Sequence, residues 1–159
     1  MSLEQAVRQL SRIPLLAQLE PEALRLLAFS AETLTLASGD VLFRQGDVSD
    51  GGYVVLAGTI IVETPDAMGT TRHVGPDSLL GETALLVPTQ RPVTAQAQGT
   101  TKVLKIPRIL FQRVLQVFPD GAVRLHSFLA RRLAGYASEL DGMRQRVLAE
   151  PTGHRTANL

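Results

Sequence analysis

The spacing of hydrophobic positions changes twice along this chain. Over residues 1–30 it is helical: Leu19 follows the Ile13-Pro14 turn, and Leu24, Leu27 and Ala28 follow Pro21. Proline suits a first helical turn, where its missing N–H would have no acceptor anyway. Residues 32–106 carry short β-prone runs instead: Thr33–Leu36, Val41–Phe43, Tyr53–Leu56, Thr59–Val62, Thr71–Val74, Val93–Ala97 and Val103–Ile106. Gly39-Asp40, Gly46-Asp47, Gly51-Gly52 and Gly75-Pro76-Asp77 punctuate them as turn signals, since glycine supplies positive φ and aspartate bonds its own backbone. Short strands at such intervals predict a compact all-β barrel or sandwich.

Residues 108–150 return to helical spacing. One helix is expected from Arg108 to Val117, ending at Phe118-Pro119, and a second from Asp120, read as its N-cap, to about Leu148. In the second, Leu129, Leu133, Tyr136, Leu140, Met143 and Val147 alternate spacings of 4 and 3. That is a heptad seam over nearly three repeats. At 1.5 Å per residue the helix is roughly 43 Å long, more than packing on one small barrel requires. The seam therefore points to a second copy of the chain along the excess, rather than one helix lying on its own barrel.

Composition narrows the chemistry. The 159 residues carry 16 Lys plus Arg and 15 Asp plus Glu, with 45% hydrophobic and 19% charged residues, as in a single globular domain. Residues 1–101 hold 6 basic and 11 acidic side chains, whereas residues 102–159 hold 10 and 4. The basic C-terminal part reads as a solvated helix face richer in Arg. With no Cys, disulfides, thiolate metal sites and Cys nucleophiles are excluded. No apolar run reaches the ~20 residues of a membrane span. The polar start MSLEQAVRQLSRIPLL lacks a signal-peptide pattern, so a cytoplasmic location is expected. His73, His126 and His154 fall in a strand, a helix and the tail, without the clustered ligands a metal-dependent barrel enzyme needs.

The stretch from Leu80 to Ala95, LGETALLVPTQRPVTA, carries the chemistry. Gly81 permits close backbone approach. Thr83 to Leu86 can form one helical turn whose free N–H groups suit an anion. Arg91 returns after a short loop, able to bring its guanidinium to the same spot. Glu82 is acceptor-only and suits hydroxyl donors. Together they describe a small phosphorylated sugar held in a β-barrel. The alternative is a plain surface ion pair between Glu82 and Arg91.

The Gly-Glu-x-Ala-Leu pattern, a short spacer and then Arg-x-x-Thr resembles the phosphate-binding cassette of cyclic nucleotide-binding domains. Gly39 to Asp47, Tyr53 to Leu56 and Gly58 are similar to that family's β-roll. The downstream helices, with Arg124-Leu125 and Ala130 to Leu133, resemble the sensor half of bacterial catabolite activators. The likeness covers roughly residues 12–148. It implies that Glu82 takes the ribose 2′-hydroxyl and Arg91 the cyclic phosphate, with the amides around Thr83 and Ala84 completing the cradle. Val62 and Leu80 would wall the base and sugar, and Val93 is a further expected ligand-binding residue. Tyr136 aligns with a base-contacting helix position, although seam packing is the simpler use of it.

Two departures stand out. Pro92 replaces the residue that follows the cassette Arg, removing an amide donor and the hydroxyl that cGMP binders use. The chain also ends after the long helix, with no helix-turn-helix. Arg131, Arg132, Arg144 and Arg146 then read as solvated or partner-facing, and nucleic acid and membrane are not expected partners. The expected fold is α+β: an antiparallel β-roll (jelly-roll-like barrel) over 32–106 with its cassette at 80–95, flanked by N-terminal helices over 1–31 and C-terminal helices over 107–150, with a disordered tail over 151–159. The expected function is a non-catalytic, homodimeric regulatory domain. It would need no cofactor, taking cAMP as its ligand with cGMP second, and would act on an unknown effector protein. The competing reading is a degenerate roll serving as a ligand-independent dimerisation module.

Overall fold

The computed structural model describes residues 2–65 and 68–149; the expected tail over 151–159 lies outside the described residues. Helix α1 spans Leu3–Ser11 and α2 spans Pro21–Ser30, with a 3-10 turn over Leu16–Gln18 between them. Ser2 caps α1 in a reciprocal box with Gln5, which pairs donors that the first turn leaves free. The strands are β1 (Glu32–Leu36), β2 (Val41–Phe43), β3 (Gly51–Glu63), β4 (Thr71–Val74), β5 (Ser78–Leu80) and β6 (Thr94–Pro107). A one-turn helix, α3 (Glu82–Leu86), sits between β5 and β6. Helices α4 (Arg108–Val117) and α5 (Pro119–Ala149) follow. Every strand pairing is antiparallel, and β3 and β6 form the spine on which β1, β2, β4 and β5 pair.

The spine strands are longer than the sequence suggests. The runs Tyr53–Leu56 and Thr59–Val62 are one strand, as are the two halves of β6. The reason is a bulge. Pairing with β6 slips between Val55, Ala57 and Thr59, where Gly58 adopts φ 90°. A Cβ on Gly58 would lie 2.6 Å from the Thr100 carbonyl oxygen, so only glycine fits that turn of the strand. The slip also decides which way side chains face. Tyr53 and Val55 point into the roll while Val54 and Leu56 meet the helices. One extra residue in β3 changes the parity, and Ile60 and Val62 then join Tyr53 and Val55 inside the roll. Without the bulge Thr59 and Glu63 would stand among the inward positions in place of Ile60 and Val62.

Two smaller corrections concern glycine and aspartate. Gly51-Gly52 is not a turn but the start of β3. A Cβ on Gly51 would come within 2.8 Å of the Pro107 Cα, so the pair permits backbone approach, not reversal. Helix α5 begins at Pro119, which places Asp120 inside the first turn, where its charge suits the helix's positive end.

Two apolar clusters result. The larger, including Leu10, Leu16, Leu24, Leu27, Val54, Leu104, Ile106 and Phe111, joins the helices to the outer face of the spine. The smaller, including Phe43, Tyr53, Val55, Ile60, Val62, Leu80, Ala95 and Val103, fills the roll.

Candidate functional site

The inner cluster opens into a cavity of about 480 Å³. Of the residues expected at the site, Val62, Leu80, Gly81, Glu82, Thr83, Ala84, Arg91, Pro92 and Val93 all line it. Tyr136 does not: it stands 55% exposed on α5, one turn beyond Arg132.

Arg91 is placed by backbone pairing on both sides. Its N–H donates to the Asp47 carbonyl and its own carbonyl accepts from Gly46 N–H, both at 2.8 Å. The side chain is only 4% exposed. Its Nη2 donates to the Gly51 carbonyl at 2.8 Å, and its guanidinium lies 4.4 Å over the Phe43 ring and 5.6 Å from the Tyr53 ring. Those faces offer the cation some stabilisation. Nη1 is buried with no hydrogen-bond partner. Burial accordingly pushes the guanidinium below its ordinary pKa, partly offset by Tyr53 and Asp50. A buried cation with an unused donor is costly, and an anion at Nη1 would remove that cost.

Gly81 controls access to the donor. Its φ of 78° is left-handed, and a Cβ there would stand 2.5 Å from Arg91 Nη1. Gly81 also accepts from Leu85 N–H at 3.0 Å, starting α3. The first amides of α3 have no acceptor within the helix itself, and they border the same cavity. Arg108 braces this floor from behind: Nε donates to the Ala84 carbonyl at 2.8 Å and Nη2 to the Ser49 carbonyl at 2.7 Å.

Glu82 is not paired with Arg91. It forms an ion pair with Arg132 of α5, and the Arg132 guanidinium lies 4.6 Å over the Phe128 ring. Reading Arg132 as solvated or partner-facing is therefore corrected: it is half-buried and ties the long helix to the cassette. Charge alone could not single it out among its neighbours Arg131, Arg144 and Arg146. Its spacing of four residues from Phe128 was the available signal, since i and i+4 share a helix face. Arg72 of β4, although exposed, also borders the cavity and escaped the sequence reading, because a lone Arg in a short strand carries no local signal of a site.

The profile of the cyclic nucleotide-binding domain matches residues 33–118, and the chain belongs to that family. A cAMP-dependent protein kinase regulatory subunit from Blastocladiella emersonii is 36% identical over 114 residues, 70% of this chain and 28% of the relative. The N-terminal domain of a transcriptional regulator from Streptomyces coelicolor A3(2) superposes with a TM-score of 0.76 at 35% identity, covering 83% of this chain and 94% of that one. The catabolite activator protein of Thermus thermophilus gives 0.65 at 30% identity, covering 82% and 63%. The chain spans 28% and 10% of the length of two curated relatives it matches. The family and fold are regulatory rather than catalytic. Among the described residues no His, Asp and Glu cluster could hold a metal, and no helix is long and apolar enough to cross a membrane.

Proposed function

We propose that the chain is a cytoplasmic regulatory domain gated by a purine 3′,5′-cyclic nucleotide. The observation that carries this reading is the buried, unpartnered Nη1 of Arg91 beside Gly81. The cyclic phosphate sits against Arg91 and the α3 amides of Thr83 and Ala84, and the ribose 2′-hydroxyl donates to Glu82. The base runs along Val62, Leu80 and Val93. cAMP is the expected ligand, with cGMP second, because Pro92 offers no hydroxyl to guanine.

Coupling follows from the Glu82–Arg132 pair. A ribose hydroxyl engages the same carboxylate that holds α5, so ligand and helix position share one group. A ligand shifts helix position only by binding one arrangement more tightly, and this shared carboxylate supplies such a difference. Beyond Arg132 the seam side chains Leu133, Tyr136, Leu140, Met143 and Val147 are all more than half exposed. Their heptad spacing suits a second copy of the helix, which would also cover Tyr136, and the homodimer would present the moving helices to an effector protein.

Calorimetric titration with cyclic and linear nucleotides tests the reading. Hydrogen bonds to charged groups contribute about 1.5–3 kcal/mol each, so Arg91→Ala should weaken cyclic nucleotide binding on the order of a hundredfold. Equal binding by that variant would remove Arg91 from the phosphate site. Light scattering of wild type and Leu133→Asp tests the dimer: the variant should be monomeric, and a monomeric wild type defeats the seam.

A further inference from the structure

We propose that Arg108 is a positioning residue of the phosphate site: one guanidinium fixes both α3, whose first amides border the cavity, and the loop that places Arg91. The inference rests on the cyclic nucleotide reading and adds to it a residue that does not itself line the cavity.

The place is an adverse one for a cation. Arg108 is the first residue of α4, a helix with no acidic residue in its first turn and no side-chain cap. A positive charge there meets the positive end of the helix dipole. The side chain is half-buried, and among the described residues no carboxylate forms an ion pair with it. Arg91 is near enough to feel it: burial is the main cause of the lowered Arg91 pKa, and the Arg108 charge adds to it.

What offsets these costs is hydrogen bonding, all of it to main-chain carbonyls. The Arg108 N–H donates to Asp50 at 2.6 Å, Nη2 to Ser49 at 2.7 Å and Nε to Ala84 at 2.8 Å. The Ala84 carbonyl has no donor within α3, because the residue four further on is Pro88, which has no N–H. A helix of five residues is too short to hold itself, and Arg108 supplies the bond that its sequence omits. The second arm reaches Arg91. Ser49 is 3% exposed, and its N–H and Oγ both donate to the Thr89 carbonyl, at 3.0 and 2.6 Å. Thr89 stands two residues before Arg91, whose backbone pairs with Gly46 and Asp47 of the same loop. A planar fork spans the Ala84 and Ser49 carbonyls together, as the single ammonium of a lysine does not.

Calorimetric titration of the full chain with cAMP and cGMP decides this, alongside melting and amide hydrogen exchange of the unliganded protein. Wild type, Arg108→Lys, Arg108→Ala and Arg91→Ala are compared. Arg108→Ala should weaken binding about tenfold to a hundredfold, the scale of one hydrogen bond to a charged group. Arg108→Lys keeps the charge without the fork and should still weaken it by about fivefold or more. In both Arg108 variants exchange should quicken at the Leu85 and Val87 amides, which close the α3 turn, and stay unchanged in the middle of β3. Wild-type affinity in Arg108→Lys, with loss only in Arg108→Ala, marks a bare charge and overturns the inference. Weakened binding with unchanged exchange at Leu85 and Val87 overturns it as well. A lowered melting temperature with unchanged affinity in both variants marks a strut of the fold; if Arg91→Ala still binds weakly, that result overturns this inference and leaves the cassette reading intact. Failure of wild type to bind either nucleotide overturns the cyclic nucleotide reading and this inference with it.

Discussion

Between the helices and the sheet, a large apolar cluster closes over itself, with Phe111, Leu10, Leu16 and Leu27 essentially inaccessible and Gln9 Oε1 buried at its edge. Inside the roll, a smaller apolar set surrounds a cavity and a buried guanidinium with an unused donor. Both clusters draw on the same two strands, so sequence alternation along β3 and β6 serves two purposes at once. The outer cluster is built for stability. The inner one holds a charge and a void that would be liabilities without a ligand.

The largest expected effect comes from the outer cluster. Phe111→Ala should cost about 3–5 kcal/mol, lowering the melting temperature by roughly 6–20 °C, as read by calorimetric scanning. A small change would mean that the helical core contributes less than its packing suggests. Arg91→Ala should behave oppositely. Binding falls on the order of a hundredfold, while the unliganded melting temperature stays within about 4 °C of wild type. The lost bond to the Gly51 carbonyl is offset by removal of a buried, unpaired cation. A large loss of unliganded stability would show that Arg91 is a structural strut.

Pro92→Ala is expected to be smaller and of opposite sign. Restoring an amide that faces a charged phosphate should tighten cAMP by about threefold to a hundredfold, provided the backbone keeps its course. Unchanged affinity would mean that the amide never faced the phosphate.

Asp77 gives the smallest effect and belongs to the outer region. Hydrogen bonds from Arg12 and Gln9 hold its carboxyl below the usual carboxylate range. A folded pKa below the unfolded value means that its contribution is present above about pH 4 and is lost as pH falls further. Asp77→Asn should flatten the acid limb of the stability profile and leave neutral stability within about 1 kcal/mol, since the group is partly exposed. An unaltered acid limb would show that other carboxylates carry it.

Much of the site was legible because its chemistry is local. Gly81, Glu82 and Arg91 lie within eleven residues of one another, and the loop that joins them needs no distant information. Helices α2 and α4 were equally legible, each marked by a proline at or just before its start. What escaped depended on contacts between distant segments. Gly58 reads as a break between strands until the Thr100 carbonyl is seen across the ladder. Glu82 meets Arg132 fifty residues away, a pairing that no local pattern encodes. The place of Arg72 opposite Val62 at the cavity edge depends on the parity that the bulge sets in its neighbour strand.

That bulge governs which changes of length the chain can accept. Losing one residue between Leu56 and Thr59 would turn Ile60 and Val62 outward, exchanging the cavity wall for Ile61 and Glu63. The opposite stretch of β6 carries two extra residues between the partners of Ala57 and Thr59, an even number that leaves Ala95, Ala97 and Val103 on one face. Insertions and deletions along this spine are therefore tolerated by twos and not by ones. A single-codon loss at Gly58 would take Ile60 and Val62 out of the roll's lining although neither had itself been substituted.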